Sequence, residues 1–466
     1  MKFFNRSLFL FCALVAGPFC QGREKPNVVV FLIDDLGWAD LSCQGSQFYE
    51  TPNIDKLAAS GVRFTDSYSA NPVCSPTRAA LLTGKAPQRV GITQWIHQPS
   101  DLHLPAKETT LAEAFQEAGY ETGYIGKWHL GEKDAQLPTS NGFSWMKAVN
   151  RAGQPASYFF PYSKQSKRGS YWDVPDLANG KDGDYLTDAL TDHALGFIDA
   201  SKEKPFLLYF AHYAVHTPIQ APANLVKKYE EKREKLYGKS KVEAIPERFN
   251  TVSRPRQDHA TYAAMMENLD MNVGRVVQQL EKLGLLKKTI IVFTSDNGGH
   301  CHLVKSPGVT CNLPLRSGKG WTYEGGTRIP TIISWEKKVN PRVSQTPMIS
   351  MDLYPTLLEL TGQTLRPDQH LDGVSLAPAV LGGDTTKLDG RALYWTYPHE
   401  HGSGHRPSHA LRKGDWKLIY FESDKTNELY NLSDDLGERT NLALAKPELV
   451  ESLHQELMAW VKATTP

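Results

Sequence analysis

Three short runs along the chain are apolar on both faces: Asn27 to Ile33, Phe206 to Phe210, and Thr289 to Thr294. Continuous β-branched and aromatic runs of this length leave no polar side for water, so they read as strands buried on both faces of a parallel sheet. A weaker run, Thr122 to Gly126, predicts a fourth strand. Helical spacing lies between them. Glu108 to Ala118 puts Leu111, Ala114, Phe115 and Ala118 on one face, and Gly119 supplies a stop. Tyr262 to Leu286 carries Met265, Leu269, Val273, Val276 and Leu280 at comparable spacing. Strands alternating with helices predict an α/β layered fold around a mostly parallel sheet. Past residue 380 the texture changes. Ala392 to Tyr397, Ser408 to Lys413, Trp416 to Phe421 and Asn427 to Asn431 are short strand-like pieces divided by turns, and a helix closes the chain from Pro447 to Ala463. The predicted organisation is a leader over residues 1–22, a main domain over 23–380, and a small antiparallel sheet plus helix over 381–466.

Composition adds exclusions. A chain of 466 residues exceeds the usual single core, which suits one large and one small domain. With 40% hydrophobic and 22% charged residues and no low-complexity tract, disorder of the body is excluded. Lys2 and Arg6, the apolar stretch Leu8 to Ala16 and the small-residue exit Cys20 to Gly22 read as a secretory signal too short to span a bilayer. The expected location is therefore secreted or periplasmic. Gly-Pro-Phe before Cys20 is a poor lipidation context, so no lipoprotein anchor is expected. A formal net charge of +1 argues against a nucleic-acid or anionic-membrane surface. Cys12 and Cys20 leave with the leader. Cys43, Cys74, Cys301 and Cys311 are no disulfide scaffold, although Cys301 and Cys311 are spaced to close a short loop. Their spacing does not suggest zinc.

In open parallel α/β sheets, ligands bind beyond the carboxyl ends of the strands. The first run ends in Asp34-Asp35, and the third passes through Ser295 into Asp296-Asn297-Gly298. The second leads to His212 and His216, and the weaker strand to Lys127-Trp128-His129. Asp34, Asp35, Asp296 and Asn297 make an all-oxygen set suited to a hard cation such as Ca²⁺ or Mg²⁺. Alone, Asp-Asp or Asp-Asn-Gly reads as an exposed turn. Placement directly after buried strands is what favours a metal.

Cys74-Ser75-Pro76-Thr77-Arg78 precedes Ala79-Ala80-Leu81-Leu82-Thr83-Gly84. Ser75 suits a helix cap, Pro76 the first helical position and Gly84 the stop. Residue 74 is thus expected immediately before a helix N-terminus, where free N–H groups favour an anion. Arg78 lies one turn on, on the same side, within reach of residue 74. An unmodified Cys there would be an activated thiolate; the bland reading is a buried structural Cys.

Cys74-Ser-Pro-Thr-Arg with Leu-Leu-Thr-Gly resembles the signature of the type I sulfatases, in which the Cys is oxidised to formylglycine. The resemblance extends through Asn27 to Gly37, Thr51-Pro-Asn-Ile-Asp-Lys-Leu, Gly126-Lys-Trp-His-Leu-Gly131, His216-Thr-Pro, Ser295-Asp-Asn-Gly, Gly318-Lys-Gly320, Tyr323-Glu-Gly-Gly-Thr-Arg and Glu428-Leu-Tyr-Asn-Leu. It implies an alkaline-phosphatase-like sheet sandwiched by helices, with a smaller C-terminal domain. By similarity, one Ca²⁺ would be held by Asp34, Asp35, Asp296, Asn297 and residue 74 in its formylglycine form. Cys74, Arg78, Lys127, His129, His216 and Lys319 would form the catalytic set. Lys127 and Lys319 would hold the sulfate, His216 with Lys319 would protonate the leaving oxygen, and His129 would take a proton from residue 74. The implied partners are a sulfated carbohydrate and a formylglycine-generating maturation enzyme. The resemblance leans towards members acting on galactose or N-acetylgalactosamine sulfates, of the arylsulfatase A and N-acetylgalactosamine-6-sulfatase kind. The His-rich, glycine-loosened segment Tyr397 to Arg406 is expected over the pocket, with His401 and Arg406 on the sugar; a solvated loop is the other reading. A phosphatase or phosphodiesterase of the same superfamily, and an inactive glycan-binding homologue, are the alternatives.

Overall fold

The computed structural model describes residues 25–465, except 98, 166–170, 304 and 305. The proposed leader lies outside the described residues. An eight-stranded sheet forms the centre, in the order Arg342–Ser344, Gly61–Phe64, Thr331–Ser334, Thr289–Ser295, Asn27–Ile33, Phe206–Ala211, Glu121–Gly126, Trp145–Lys147. The four strands read from the sequence are its contiguous parallel core. Thr331–Ser334 runs antiparallel to its two neighbours. These short additions carry no long apolar run of their own, so pattern alone did not reveal them.

Both faces of the sheet are covered, which is why its central strands need no polar positions. Val29, Phe31 and Ile33 pack with Met265, Leu269 and Val273 of the helix Ala260–Lys282. Val28, Val30 and Leu32 pack with Leu81, Leu82 and Phe115 on the other side. Truncating one such side chain, Phe31→Ala, costs about 3–5 kcal/mol by transfer and cavity terms. Helix ends follow local chemistry. The first predicted helix begins only at Leu111, because Thr110 accepts the Glu113 N–H at 3.1 Å while Glu113 accepts the Thr110 N–H at 2.7 Å. The long helix stops at Lys282, and Gly284 turns the chain at φ +70°.

The C-terminal strands Ala392–Tyr397, Ser408–Lys413, Trp416–Phe421 and Thr426–Asn431 form an antiparallel meander. One face takes Leu453 and Leu457 of the helix Pro447–Thr464. The other sets Trp395, Ala410 and Ile419 against Tyr68, Trp321 and Tyr323 of the main unit. A buried ionic seam runs beside this contact: Lys417 lies 2.7 Å from Glu324 and 3.1 Å from Glu438, and Arg412 lies 2.5 Å from Asp66. Cys43, Cys74, Cys301 and Cys311 carry free thiols, so Cys301 and Cys311 are not bridged. No helix among the described residues is long and apolar enough to cross a membrane.

Candidate active site

The strand register brings the chemistry together. Ile33 pairs with Ser295, so Asp34 and Asp296 leave the sheet side by side, and the Asp296 N–H donates to the Ile33 carbonyl at 3.1 Å. The Lys127 N–H donates to the Ala211 carbonyl at 2.8 Å, which sets that tip beside the strand leading to His216. Asp35 leaves its strand at φ +62° and His129 at φ +58°, a left-handed conformation that non-glycine residues adopt at a cost.

The helix Cys74–Thr83 is wholly buried and begins at Cys74 itself. Val73 occupies the cap position and Pro76 falls third, correcting the expected cap at Ser75 and start at Pro76. The Ser75 hydroxyl is used elsewhere: it accepts the Ile96 N–H at 3.1 Å. Gly84 ends the helix at φ +70°, as expected. Arg78 does not bond to residue 74. Its Nε and Nη2 donate to Asp296 Oδ2 at 2.9 and 2.7 Å, and its Nη1 to the Lys127 carbonyl at 2.8 Å. The guanidinium positions two strand tips, a task that its planar fork suits.

Cys74 Sγ lies 3.2 Å from His129 Nδ1. The other ring nitrogen, Nε2, lies 2.9 Å from the Ile96 carbonyl. A carbonyl only accepts, so Nε2 carries the hydrogen and Nδ1 presents a lone pair to residue 74. Burial and the nearby Lys127 ammonium hold His129 well below its usual pKa, which keeps the ring neutral. His216 is held in the opposite sense. Its Nδ1–H donates to the Thr217 carbonyl at 2.9 Å, leaving Nε2 3.7 Å from Asp35.

Lys127 Nζ lies 2.7 Å from Asp34, Lys319 Nζ lies 2.6 Å from Asp35, and Asn297 donates to Asp35 at 2.8 Å. Burial pushes the Asp34 carboxyl well up, against the opposing pull of Lys127. For Asp35 burial acts upward too, but the Lys319 ammonium holds it below the usual range. Two oxygens of the set expected for a cation are free to take one, while both Asp296 oxygens already accept hydrogen bonds, from Arg78 and the Asp35 N–H. Asp34 Oδ1 and Asn297 Oδ1 are buried without a hydrogen-bond partner, and Asp34, Asp35 and His216 offer ligand atoms within 4.8 Å of one another.

His401 packs on the loop beside Lys319: a Cβ on Gly320 would stand 2.2 Å from His401 Nδ1. Arg406 pairs with Glu400 and is 45% exposed, so its guanidinium is not among the groups around Lys319. His212 stacks on Phe210 with ring centroids 3.8 Å apart, both nitrogens unpartnered, outside the polar cluster. Two contributors escaped the sequence reading, and a third, Tyr397, enters it only as the start of the segment over the pocket. His300, three residues past Asn297 on the same tip, feels both Asp35 and Lys319. Tyr397 donates to Gln94 at 2.6 Å and feels Cys74 and Lys319. Ile96 acts only through its backbone, which leaves no side-chain signal.

A parallel sheet whose tips bring together Lys127, Lys319, the helix-borne residue 74 and an oxygen set suits a hydrolase of oxyanion esters. The chain belongs to the sulfatase family: the Sulfatase family model matches residues 26–363. A second model, N-sulphoglucosamine sulphohydrolase, C-terminal, matches residues 317–463. Arylsulfatase A of Homo sapiens is 34% identical over 97% of this chain and 90% of its own length. N-acetylgalactosamine-6-sulfatase of Canis lupus familiaris is 31% identical over 93% of this chain and 84% of its own. The solved structure of Ps i-CgsB in complex with k-i-k-neocarrahexaose superposes with TM-score 0.76 at 31% identity, covering 94% of this chain and 92% of that one. The chain is accordingly a sulfuric ester hydrolase.

Proposed function

We propose that this exported sulfatase hydrolyses sulfate esters on a carbohydrate, with residue 74 as formylglycine made by a separate maturation enzyme, and one Ca²⁺ held by Asp34, Asp35, Asp296, Asn297 and residue 74. The carrying observation is the bare Nδ1 of His129 aimed at residue 74 from 3.2 Å, at the start of a helix. A hydrated aldehyde would supply two hydroxyls on one carbon, one to attack sulfur and one whose deprotonation would let sulfate depart, and a bound Ca²⁺ would supply Lewis-acid stabilisation of the negative charge.

The remaining tasks fall to the chain. Lys127 and Lys319 face the oxyanion with fixed positive charge. The leaving oxygen needs a proton. Although burial disfavours its charge, Lys319 is held protonated by Asp35, while neutral His216 offers only an acceptor at Nε2. Lys319 is therefore the ready donor, and His216 donates once protonated. His129 Nδ1 then takes a proton from residue 74, and one water is consumed for each alcohol and sulfate released. Arg78 holds Asp296 and the Lys127 backbone in register throughout. His401, beside Lys319, is the group best placed to contact sugar hydroxyls; Arg406 would have to leave Glu400 to join it.

The protein expressed with its maturation enzyme should release sulfate from a sulfated galactose or N-acetylgalactosamine glycan. It should lose that activity in a calcium chelator and regain it with Ca²⁺. Activity that survives exhaustive chelation would remove the metal from the account.

A further inference from the structure

Ser75 stands next to the reacting residue, is completely buried, and does not cap its helix. Its hydroxyl oxygen instead accepts the Ile96 N–H at 3.1 Å, and the Ile96 carbonyl accepts His129 Nε2–H at 2.9 Å. We propose that Ser75 is a positioning residue for sulfate release, acting through Ile96 to fix the His129 tautomer that can accept a proton from residue 74. The inference rests on the function proposed above and gives a role to a residue of the Cys74 motif that does not cap its helix.

Two different constraints hold His129. Its ring position is set by packing: a Cβ on Gly153 would stand 2.5 Å from the imidazole, so that loop is pressed against the ring. Its proton position is set by the Ile96 carbonyl alone among the described hydrogen bonds of Nε2. A ring released from that carbonyl can carry its hydrogen on Nδ1 instead, and a protonated Nδ1 cannot accept from residue 74. The carbonyl in turn has to be held. At the outer end of the loop 93–96, Gln94 accepts from Tyr397 at 2.6 Å and Thr93 Oγ1 lies 3.0 Å from His399 Nε2. At the inner end the anchor is Ser75. The loop is thereby stretched between the C-terminal sheet and the first turn of the helix that begins at Cys74.

The test compares Ser75→Ala, His129→Ala and the double variant with wild type, all produced with the maturation enzyme. Conversion of residue 74 is counted by peptide mass spectrometry, and rates are expressed per converted molecule. With an aryl sulfate in stopped flow, Ser75→Ala should release a burst of alcohol about equal to the converted enzyme. A steady state roughly tenfold slower than wild type should follow, with KM lowered alongside kcat so that kcat/KM is unchanged. In the His129→Ala background, Ser75→Ala should add less than about a twofold effect, because both act on one proton transfer. A merely structural role would lower Tm and the burst amplitude without slowing the later phase. That pattern, an unchanged rate per converted molecule, or fully additive losses overturns the inference while leaving the functional reading intact. A wild-type protein that releases no sulfate overturns both.

Discussion

His129 shows how much one residue's role depends on atoms that do not belong to side chains. Its backbone adopts φ +58°, and its tautomer is written by a carbonyl 33 positions away in sequence. His129→Ala should lower turnover roughly 10²–10⁴-fold, the usual range for a lost general base, with binding of substrate largely retained. Steady-state kinetics on a sulfated glycan check this: kcat and KM should fall together, whereas a raised KM would mean that the ring binds substrate. Lys127→Ala should lower kcat by about 10²–10³-fold through lost charge on the sulfate. At this scale the sequence was legible wherever a polar side chain directly follows a buried strand: Asp34, Asp35, Lys127, His129, Asp296 and Asn297 all gather at one edge of the sheet. It was misleading where a residue has two competing uses. Ser75 has the chemistry of a cap but is consumed by a tertiary bond.

Elements converge on the site because glycines let their backbones touch. Gly298, after the Asp296-Asn297 tip, faces the Gly325 carbonyl so closely that a Cβ would stand 1.9 Å from that oxygen. Gly298→Ala should therefore cost about 3 kcal/mol as backbone is forced apart, and it should weaken metal binding by moving Asn297. Thermal unfolding with and without Ca²⁺ reads both effects; an unchanged Tm would show that the loop yields freely. Strand interiors were legible to within a residue because unbroken apolar runs have only one use in a sheet covered on both faces. The two outermost strands on that side of the sheet, Gly61–Phe64 and Arg342–Ser344, were not, since each is short and owes its state to a neighbour far away in the chain.

Across the whole molecule, the C-terminal sheet is fastened to the main unit by apolar packing and by a buried seam in which two carboxylates share Lys417. Burial, reinforced by the Glu324 charge and opposed by Lys417, pushes Glu438 up to about 7 from a normal value of 4.5. A carboxyl with a raised folded-state pKa contributes stability that is complete below its unfolded value and is lost as pH rises through its folded value. Wild-type stability should decline between about pH 4.5 and 7 through this group. Glu438→Gln should flatten that slope, as followed by Tm across the range. A steeper decline in the variant would mean that the ionised carboxylate stabilises the seam. The pairing of this seam lay beyond sequence reading, because Glu324, Lys417 and Glu438 belong to three segments brought together only by docking.

The chemistry of residue 74 governs everything downstream, and it is directly measurable. Mass spectrometry of the peptide carrying residue 74, from protein produced with the maturation enzyme, should show the thiol replaced by an aldehyde: H₂S lost and one oxygen gained. Cys74→Ser, which cannot be converted in this way, should lack multiple turnover. An intact thiol at position 74 in protein that hydrolyses its sulfate ester at full rate would contradict the account.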